Sequence, residues 1–291
     1  MRSMHFDISI VTGHCTRSNP RVPNMRELIA SYEAWGVETD IFCHTVTVWK
    51  DGENYYQISH SAREGAFDLD DLPTPSPIPM ELFKAHWNSS LTECPRPPPL
   101  DSHQKRPVIM LPEGFVPSAK TPGEDMLIEA EMYEIIKQYP HPNICHYYGC
   151  IRDGQDLTAI CLRKYKCSLH DAVQSGAPLD RDIIISGIAR GLQFLHDTLG
   201  LVHNDINPTN IMLDDQGHPV IIDFDSCAPI GQDMDGRKGG TFGWVRKLES
   251  STCTVESDEY ALSLIAQYLD GKVDNEGFPL PLDVSIGCHL L

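Results

Sequence analysis

The run from Leu201 to Ser226 constrains this chain more than any other part of it. It reads Leu201-Val202-His203-Asn204-Asp205-Ile206-Asn207-Pro208-Thr209-Asn210-Ile211-Met212-Leu213 and then, after a polar turn, Pro219-Val220-Ile221-Ile222-Asp223-Phe224-Asp225-Ser226. Two short apolar strands flank a loop that presents one Asp and one Asn, and a second Asp follows directly after a buried strand. Hard oxygen donors at strand ends are how a protein holds Mg²⁺ beside a phosphate chain. A carboxylate free of the metal can accept the proton of an attacking hydroxyl. Taken singly, each residue has a plainer reading: an Asp after a strand is often a turn or helix cap, and His203 reads as a packed, hydrogen-bonded core residue rather than a base. The ordered set argues against chance for the run as a whole.

Composition limits what can surround that run. Of 291 residues, 23 are Lys or Arg and 41 are Asp or Glu, a formal net charge of −18. That surplus argues against a nucleic-acid partner bound by phosphate neutralisation. The acidity is spread: residues 1–104 hold 8 basic and 14 acidic side chains, and residues 105–291 hold 15 and 27. With 41% hydrophobic residues the chain can bury a core. Its longest apolar stretches, Pro219 to Ile222 and Leu262 to Ala266, fall far short of the roughly 20 residues of a membrane-spanning helix, so no membrane partner is expected. The charged opening, Met1-Arg2-Ser3-Met4-His5-Phe6-Asp7, lacks the apolar run of a secretory signal and predicts an intracellular, cytoplasmic chain. Ten cysteines include no C-x-x-C pair; Cys145, Cys150, Cys161 and Cys167 with His141, His146 and His170 match no zinc spacing. Reduced, mostly buried thiols are expected.

Along the chain, residues 1–66 carry one clear local signal. Thr45 to Lys50 and Glu53 to Ile58 alternate as β-formers around Asp51-Gly52, which predicts a hairpin. Residues 67–104 contain Pro73, Pro75, Pro77, Pro79, Pro95, Pro97, Pro98 and Pro99 and read as a linker or a surface-wrapping segment. From 105 onward the spacing predicts a strand over Lys105–Leu111, a helix over Gly123–Tyr139 ended by Pro140, strands over Ile144–Ile151 and Thr158–Leu162, and a long helix over Asp182–His196.

The segment 201–226 resembles the catalytic core of eukaryotic protein kinases, in which H-R-D-x-x-x-x-N is followed by D-F-G. The resemblance extends over about 105–270. Leu192 to His196 looks like the family's helix E, Pro140-His141-Pro142-Asn143-Ile144 like the segment after helix C, Gly240-Thr241 like the end of the activation segment, and Ser257-Asp258 like the start of helix F. More narrowly, His203 to Pro208, Asp223 to Cys227, Tyr148-Gly149-Cys150 and Lys105-Arg106-Pro107 resemble short protein-kinase-like proteins of filamentous fungi. This likeness implies an α+β, two-lobed fold, with a small β-rich lobe over about 105–167 and a truncated, mainly helical large lobe over about 168–291. It implies an ATP- and Mg²⁺-dependent phosphotransferase of serine/threonine type, with Asp205 as catalytic base and Asn210 and Asp223 as metal ligands. Lys105 would contact the α- and β-phosphates and pair with Glu131. Lys120 is the alternative lysine, and Glu129 and Glu134 are rival partners because one residue of slippage changes the helix face. Adenine would meet the backbone near Lys164, Tyr165 and Lys166.

The sequence also departs from the pattern. No G-x-G-x-x-G precedes Lys105, Asn204 replaces the arginine of H-R-D, Asp225 replaces the glycine of D-F-G, and no A-P-E follows Gly240-Thr241. Only 33 residues follow Asp258, fewer than the remaining large-lobe helices would need. Asn207-Pro208 resembles the loop of aminoglycoside and choline phosphotransferases, so the acceptor is a hydroxyl of either a protein or a small molecule. The missing glycine loop motivates a third reading, a pseudokinase that serves as a binding module.

Overall fold

The computed structural model describes residues 26–35, 41–112, 114–116, 120–234, 239–245 and 252–280. The opening heptapeptide, Cys15 and Cys288 lie outside them. Contacts divide the chain into two units, residues 1–86 with 106–125, and residues 87–105 with 126–291. The proline-rich stretch is thus shared between them.

The first unit is built on a three-stranded antiparallel sheet of β1 (Arg26–Trp35), β2 (Phe42–Asp51) and β3 (Asn54–His60), with β2 in the centre. The β2–β3 hairpin closes with Asp51 opposite Asn54, and Gly52 takes the left-handed backbone at φ 59° that the tight turn requires. Strand β1 has no sequence signal of its own, because its Ala, Glu and Leu are good helix formers; pairing with β2 overrides that preference. On one face Val48 packs with Ile78 and Phe83 from the proline-rich stretch. Arg26 donates to the carbonyls of Leu69 and Leu72 at 2.7 Å each, which fastens that stretch to the strand.

The second unit has a sheet in which β4 (Ser102–Lys105) and β5 (Tyr147–Asp153) both run antiparallel to β6 (Asp156–Arg163). The first of these strands ends at Lys105 rather than running to Leu111, since Pro107 has no N–H to give to a ladder. The free edge of β5 is covered by the residues around Glu93: Cys150 N–H donates to Thr92 O at 2.7 Å, and Cys94 N–H donates to Cys150 O at 2.8 Å. Covering an edge in this way removes a template for unwanted strand pairing.

Helix α1 (Pro122–Ile136) buries Glu129, Ala130, Tyr133 and Ile136 and leaves Glu131 and Ile135 outside. Helices α2 (Leu169–Gln174) and α3 (Arg181–Gln193) follow, and α3 opens into a wider helical turn over Phe194–Leu199. Then come β7 (Leu201–Val202), β8 (Ile211–Leu213), β9 (Pro219–Ile221) and the helix α4 (Val255–Leu269). Among the described residues, no helix is long and apolar enough to cross a membrane. None of the eight described cysteines forms a disulfide, and six of them are buried. Burial pushes the Cys145 thiol up to about 12, which keeps it protonated.

Candidate active site

The polar loop is fixed from three directions. Strand β7 leads into it at His203, β8 leaves it after Asn210, and β9, antiparallel to β8, delivers Asp223 just past its end. The Ile222 N–H donates to Asn210 O at 3.0 Å, so Asn210 and Asp223 are held side by side by backbone. Below the loop, Asp258 of α4 is 1% exposed and accepts from the backbone N–H of His203 at 2.8 Å and of Asn204 at 2.9 Å. His196, in the turn after α3, contacts the same carboxylate at 2.8 Å. A buried carboxylate needs such a set of donors, and here the donors are the loop it supports.

Within the loop, His203 is fully buried. Its Nδ1 accepts from Asp205 N–H at 3.2 Å and its Nε2 donates to Ile222 O at 2.9 Å, which fixes a neutral imidazole in a structural role. Asn204 stands at φ 63° and Asp223 at φ 65°. Such left-handed backbone costs about 1–2 kcal/mol for a residue with a Cβ, and Asn and Asp bear it best. The Asn204 amide points inward to Ser226 O at 3.1 Å, so the residue in place of the family's arginine ties one strand end to the other.

Asp205 carries the densest set of contacts. Its Oδ1 accepts from the Thr241 N–H and the Thr241 hydroxyl, both at 2.7 Å, and from Asn207 Nδ2 at 3.1 Å; its Oδ2 accepts from Asn210 Nδ2 at 3.0 Å. Burial pushes this carboxyl upward, the Thr241 donors work in the opposite direction, and the net shift is up. Because Asn210 uses its nitrogen on Asp205, the amide oxygen is left as a donor to a cation. With the Asp223 carboxylate beside it, the set is hard oxygen throughout, and it fits Mg²⁺.

Lys105 completes the group. Its ammonium lies 2.8 and 2.7 Å from the two Glu129 oxygens and 2.7 Å from Asp223 Oδ1. Burial disfavours that charge, but the Glu129, Asp223 and Asp225 carboxylates outweigh it and hold Lys105 charged well above its ordinary range. Burial likewise pushes the Glu129 carboxyl up, to about 7. The expected partner Glu131 is corrected here to Glu129. Two residues along a helix are about 200° of rotation, which carries Glu131 to the exposed face. The alternative lysine, Lys120, pairs with Asp125 at 2.6 Å. Glu134 binds Thr92 and Tyr147.

Phe224 is fully buried and packs edge-on against both Tyr133 and His203, with ring centroids 5.2 and 5.1 Å away. Tyr133 in turn stacks on Tyr147 at 5.3 Å, so one aromatic column joins α1, β5, the loop and the Asp223 turn. Of the residues expected near adenine, Lys164 N–H donates to Asp101 O at 2.7 Å and Lys166 N–H to Leu213 O at 3.0 Å, while Tyr165 receives His146 N–H on its hydroxyl at 3.2 Å. Sequence reasoning missed two parts of this network, Asn207 and Thr241 as partners of Asp205. The Gly240-Thr241 signal was present, but nothing local says which loop it meets.

A strand lysine paired with a buried helix glutamate, an Asp-x-x-x-x-Asn loop and an Asp-Phe step after a strand define a protein-kinase-like site on an α+β fold. A family model for the protein kinase domain matches residues 117–271, more than half of the chain, and the chain belongs to that family of phosphotransferases. It is 28% identical over 175 residues to the serine/threonine-protein kinase PBL27 of Arabidopsis thaliana, covering 54% of this chain and 34% of that protein. To the probable serine/threonine-protein kinase PBL7 of the same plant it is 29% identical over 158 residues, 49% of this chain and 41% of that protein. To the cytokinesis protein sepH of Emericella nidulans it is 26% identical over 160 residues, 53% of this chain and 12% of that protein. The chain therefore spans less than half the length of these curated relatives.

Proposed function

We propose that this chain is an ATP- and Mg²⁺-dependent phosphotransferase that passes the γ-phosphoryl group to a serine- or threonine-type hydroxyl. The observation that carries the reading is the Lys105 ammonium held between Glu129 and Asp223 at 2.7–2.8 Å, with the Asp205 carboxylate held by Asn210 at 3.0 Å. Lys105 would meet the α- and β-phosphates, with Glu129 fixing its direction. Asn210 and Asp223 would hold Mg²⁺, which when bound neutralises charge on the phosphate chain. Asp205 would orient the acceptor hydroxyl and take its proton as the oxygen bonds to phosphorus and ADP leaves. Its raised proton affinity suits a base. Most of the rate would come from positioning and charge, as is usual for phosphoryl transfer. The serine/threonine-protein kinases among the relatives support that acceptor class.

A second reading is favoured by a specific feature. Two of the three backbone N–H groups expected near adenine, those of Lys164 and Lys166, already have internal acceptors, and the chain has no glycine-rich motif ahead of Lys105. Both suit a pseudokinase that acts as a binding module. Thermal denaturation with and without ATP and Mg²⁺, for the wild type and Asp223→Ala, tests the proposal. It predicts a ligand-dependent rise in midpoint for the wild type that is lost in the variant. No shift for the wild type would contradict nucleotide binding, and a shift without ATP turnover would favour the binding module.

A further inference from the structure

We propose that the turn Asp274–Phe278, just after α4, is a clasp that sets Asp205 through Thr241, with Trp244 and Asn275 as positioning residues for phosphoryl transfer. The inference deepens the preceding reading and rests on Asp205 as the proton acceptor.

Thr241 supplies two of the four hydrogen bonds on the Asp205 carboxylate, both at 2.7 Å and both to Oδ1. A small displacement of the segment 239–245 would remove both together and free the carboxylate to rotate. Something must hold that segment, and the sequence lacks the A-P-E that does so by an ion pair elsewhere in the family. The described residues supply a different anchor. Trp244 is 2% exposed, its ring stands edge-on to Tyr268 of α4 with centroids 5.8 Å apart, and its indole N–H donates to Asn275 O at 3.2 Å. The Asn275 side-chain oxygen accepts from Gln174 of α2 at 2.7 Å and from the Tyr268 hydroxyl at 3.1 Å. The turn is braced internally, since Asp274 Oδ1 accepts from the N–H groups of Glu276 and Phe278 at 2.9 Å each.

Two glycines show how closely the pieces meet. Gly243 lies at φ 83°, and a Cβ on it would stand 1.7 Å from Glu276 O; Gly277 lies at φ 79°, and a Cβ on it would stand 2.8 Å from Gly243 O. Neither backbone conformation nor space admits a methyl group at either place. At the other end of the segment, a Cβ on Gly240 would be 2.2 Å from Asn204 O, so the segment also lies directly on the loop that carries Asp205. A continuous path therefore runs from α2 and α4 through Asn275, Trp244 and Gly243 to Thr241 and Asp205.

The test compares the full chain with Trp244→Phe, which keeps the ring against Tyr268 but removes the N–H, and with Gly277→Ala, which forces the turn from Gly243. Three readouts are taken: steady-state ATP turnover, thermal denaturation with and without ATP and Mg²⁺, and amide hydrogen exchange at Thr241. The expected result is a fall in kcat of about tenfold to a hundredfold, the scale of an ångström-sized misplacement. KM for ATP and the ATP·Mg²⁺ thermal shift stay as in the wild type, and Thr241 exchange rises by about tenfold. A merely structural role would lower the thermal midpoint without separating kcat from KM. If Gly277→Ala does not fold, Trp244→Phe carries the test alone. Unchanged Thr241 exchange and unchanged kcat in a folded variant would overturn the clasp. A wild type with no turnover would instead overturn Asp205 as the base, and the catalytic consequence with it; the two failures are distinguishable because Thr241 exchange is read without turnover.

Discussion

Asp205 is held at both carboxylate oxygens: Oδ1 accepts from Thr241 and Asn207, while Oδ2 accepts from Asn210 and keeps a lone pair for a proton. Those bonds fix the direction of the carboxylate, and burial raises its affinity for a proton against their pull, two properties a base needs before substrate arrives. Its position, with those of Asn210 and Asp223, is legible in the sequence because each is set by a short loop of fixed spacing. Glu129 is not legible in that way. Helical spacing in α1 gives a phase but not the face that meets Lys105, and Ile135, an apolar residue left 44% exposed, blurs the phase further. The two glutamates make a sharp comparison. Glu129→Gln is expected to weaken ATP·Mg²⁺ binding about tenfold, the worth of one charged hydrogen bond of about 1.5 kcal/mol. Glu131→Gln, on the exposed face, is expected to leave it within about twofold. Calorimetric titration of the two variants checks the assignment, and equal losses would refute it.

At the scale of elements, α1 is tied to the edge of the β4–β6–β5 sheet by Glu134. Its Oε1 accepts from Thr92 N–H and from the Tyr147 hydroxyl at 2.7 Å each, and Lys137 pairs with it one turn on. Burial alone would raise the Glu134 carboxyl, but the bonds from Lys137, Thr92 and Tyr147 more than offset it, and the group is held below its ordinary value. A depressed folded-state pKa stabilises above the unfolded value of about 4.3 and ceases to do so as pH falls through the folded one. Thermal midpoints of wild type and Glu134→Gln should therefore differ at pH 7 and converge on acidification below about pH 4. A gap that persists in acid would contradict the electrostatic origin. None of this tie is visible from spacing, since Thr92, Glu134 and Tyr147 come from three elements. The β2–β3 hairpin is visible, because Asp51-Gly52 between alternating β-formers is a local device. Strand β1 is not, because only its partner makes it a strand. The aromatic column falls between the two cases: Phe224 is evident from its motif, while Tyr133 and Tyr147 are ordinary apolar positions until the fold brings them together.

At the scale of the molecule, the family match runs from 117 to 271, so Lys105 and most of the first unit, all but residues 117–125, lie outside it. Lys105 nevertheless reaches Glu129 and Asp223. The −18 charge acquires a local meaning here, since Glu129, Asp223 and Asp225 concentrate carboxylates around one half-buried lysine. Such a group is at rest only with a cation nearby, and among the described residues Lys105 supplies one. Phosphoryl transfer at this site depends on Asp205 accepting a proton. The most direct measurement is the rate of ATP·Mg²⁺-dependent γ-phosphoryl transfer or release by the wild type and by Asp205→Asn, with nucleotide binding followed in parallel. With Asp205 as the base, the wild type turns over measurably and the variant falls by about a hundredfold or more, with binding retained. Equal rates in the two proteins, or no turnover by the wild type, would contradict it.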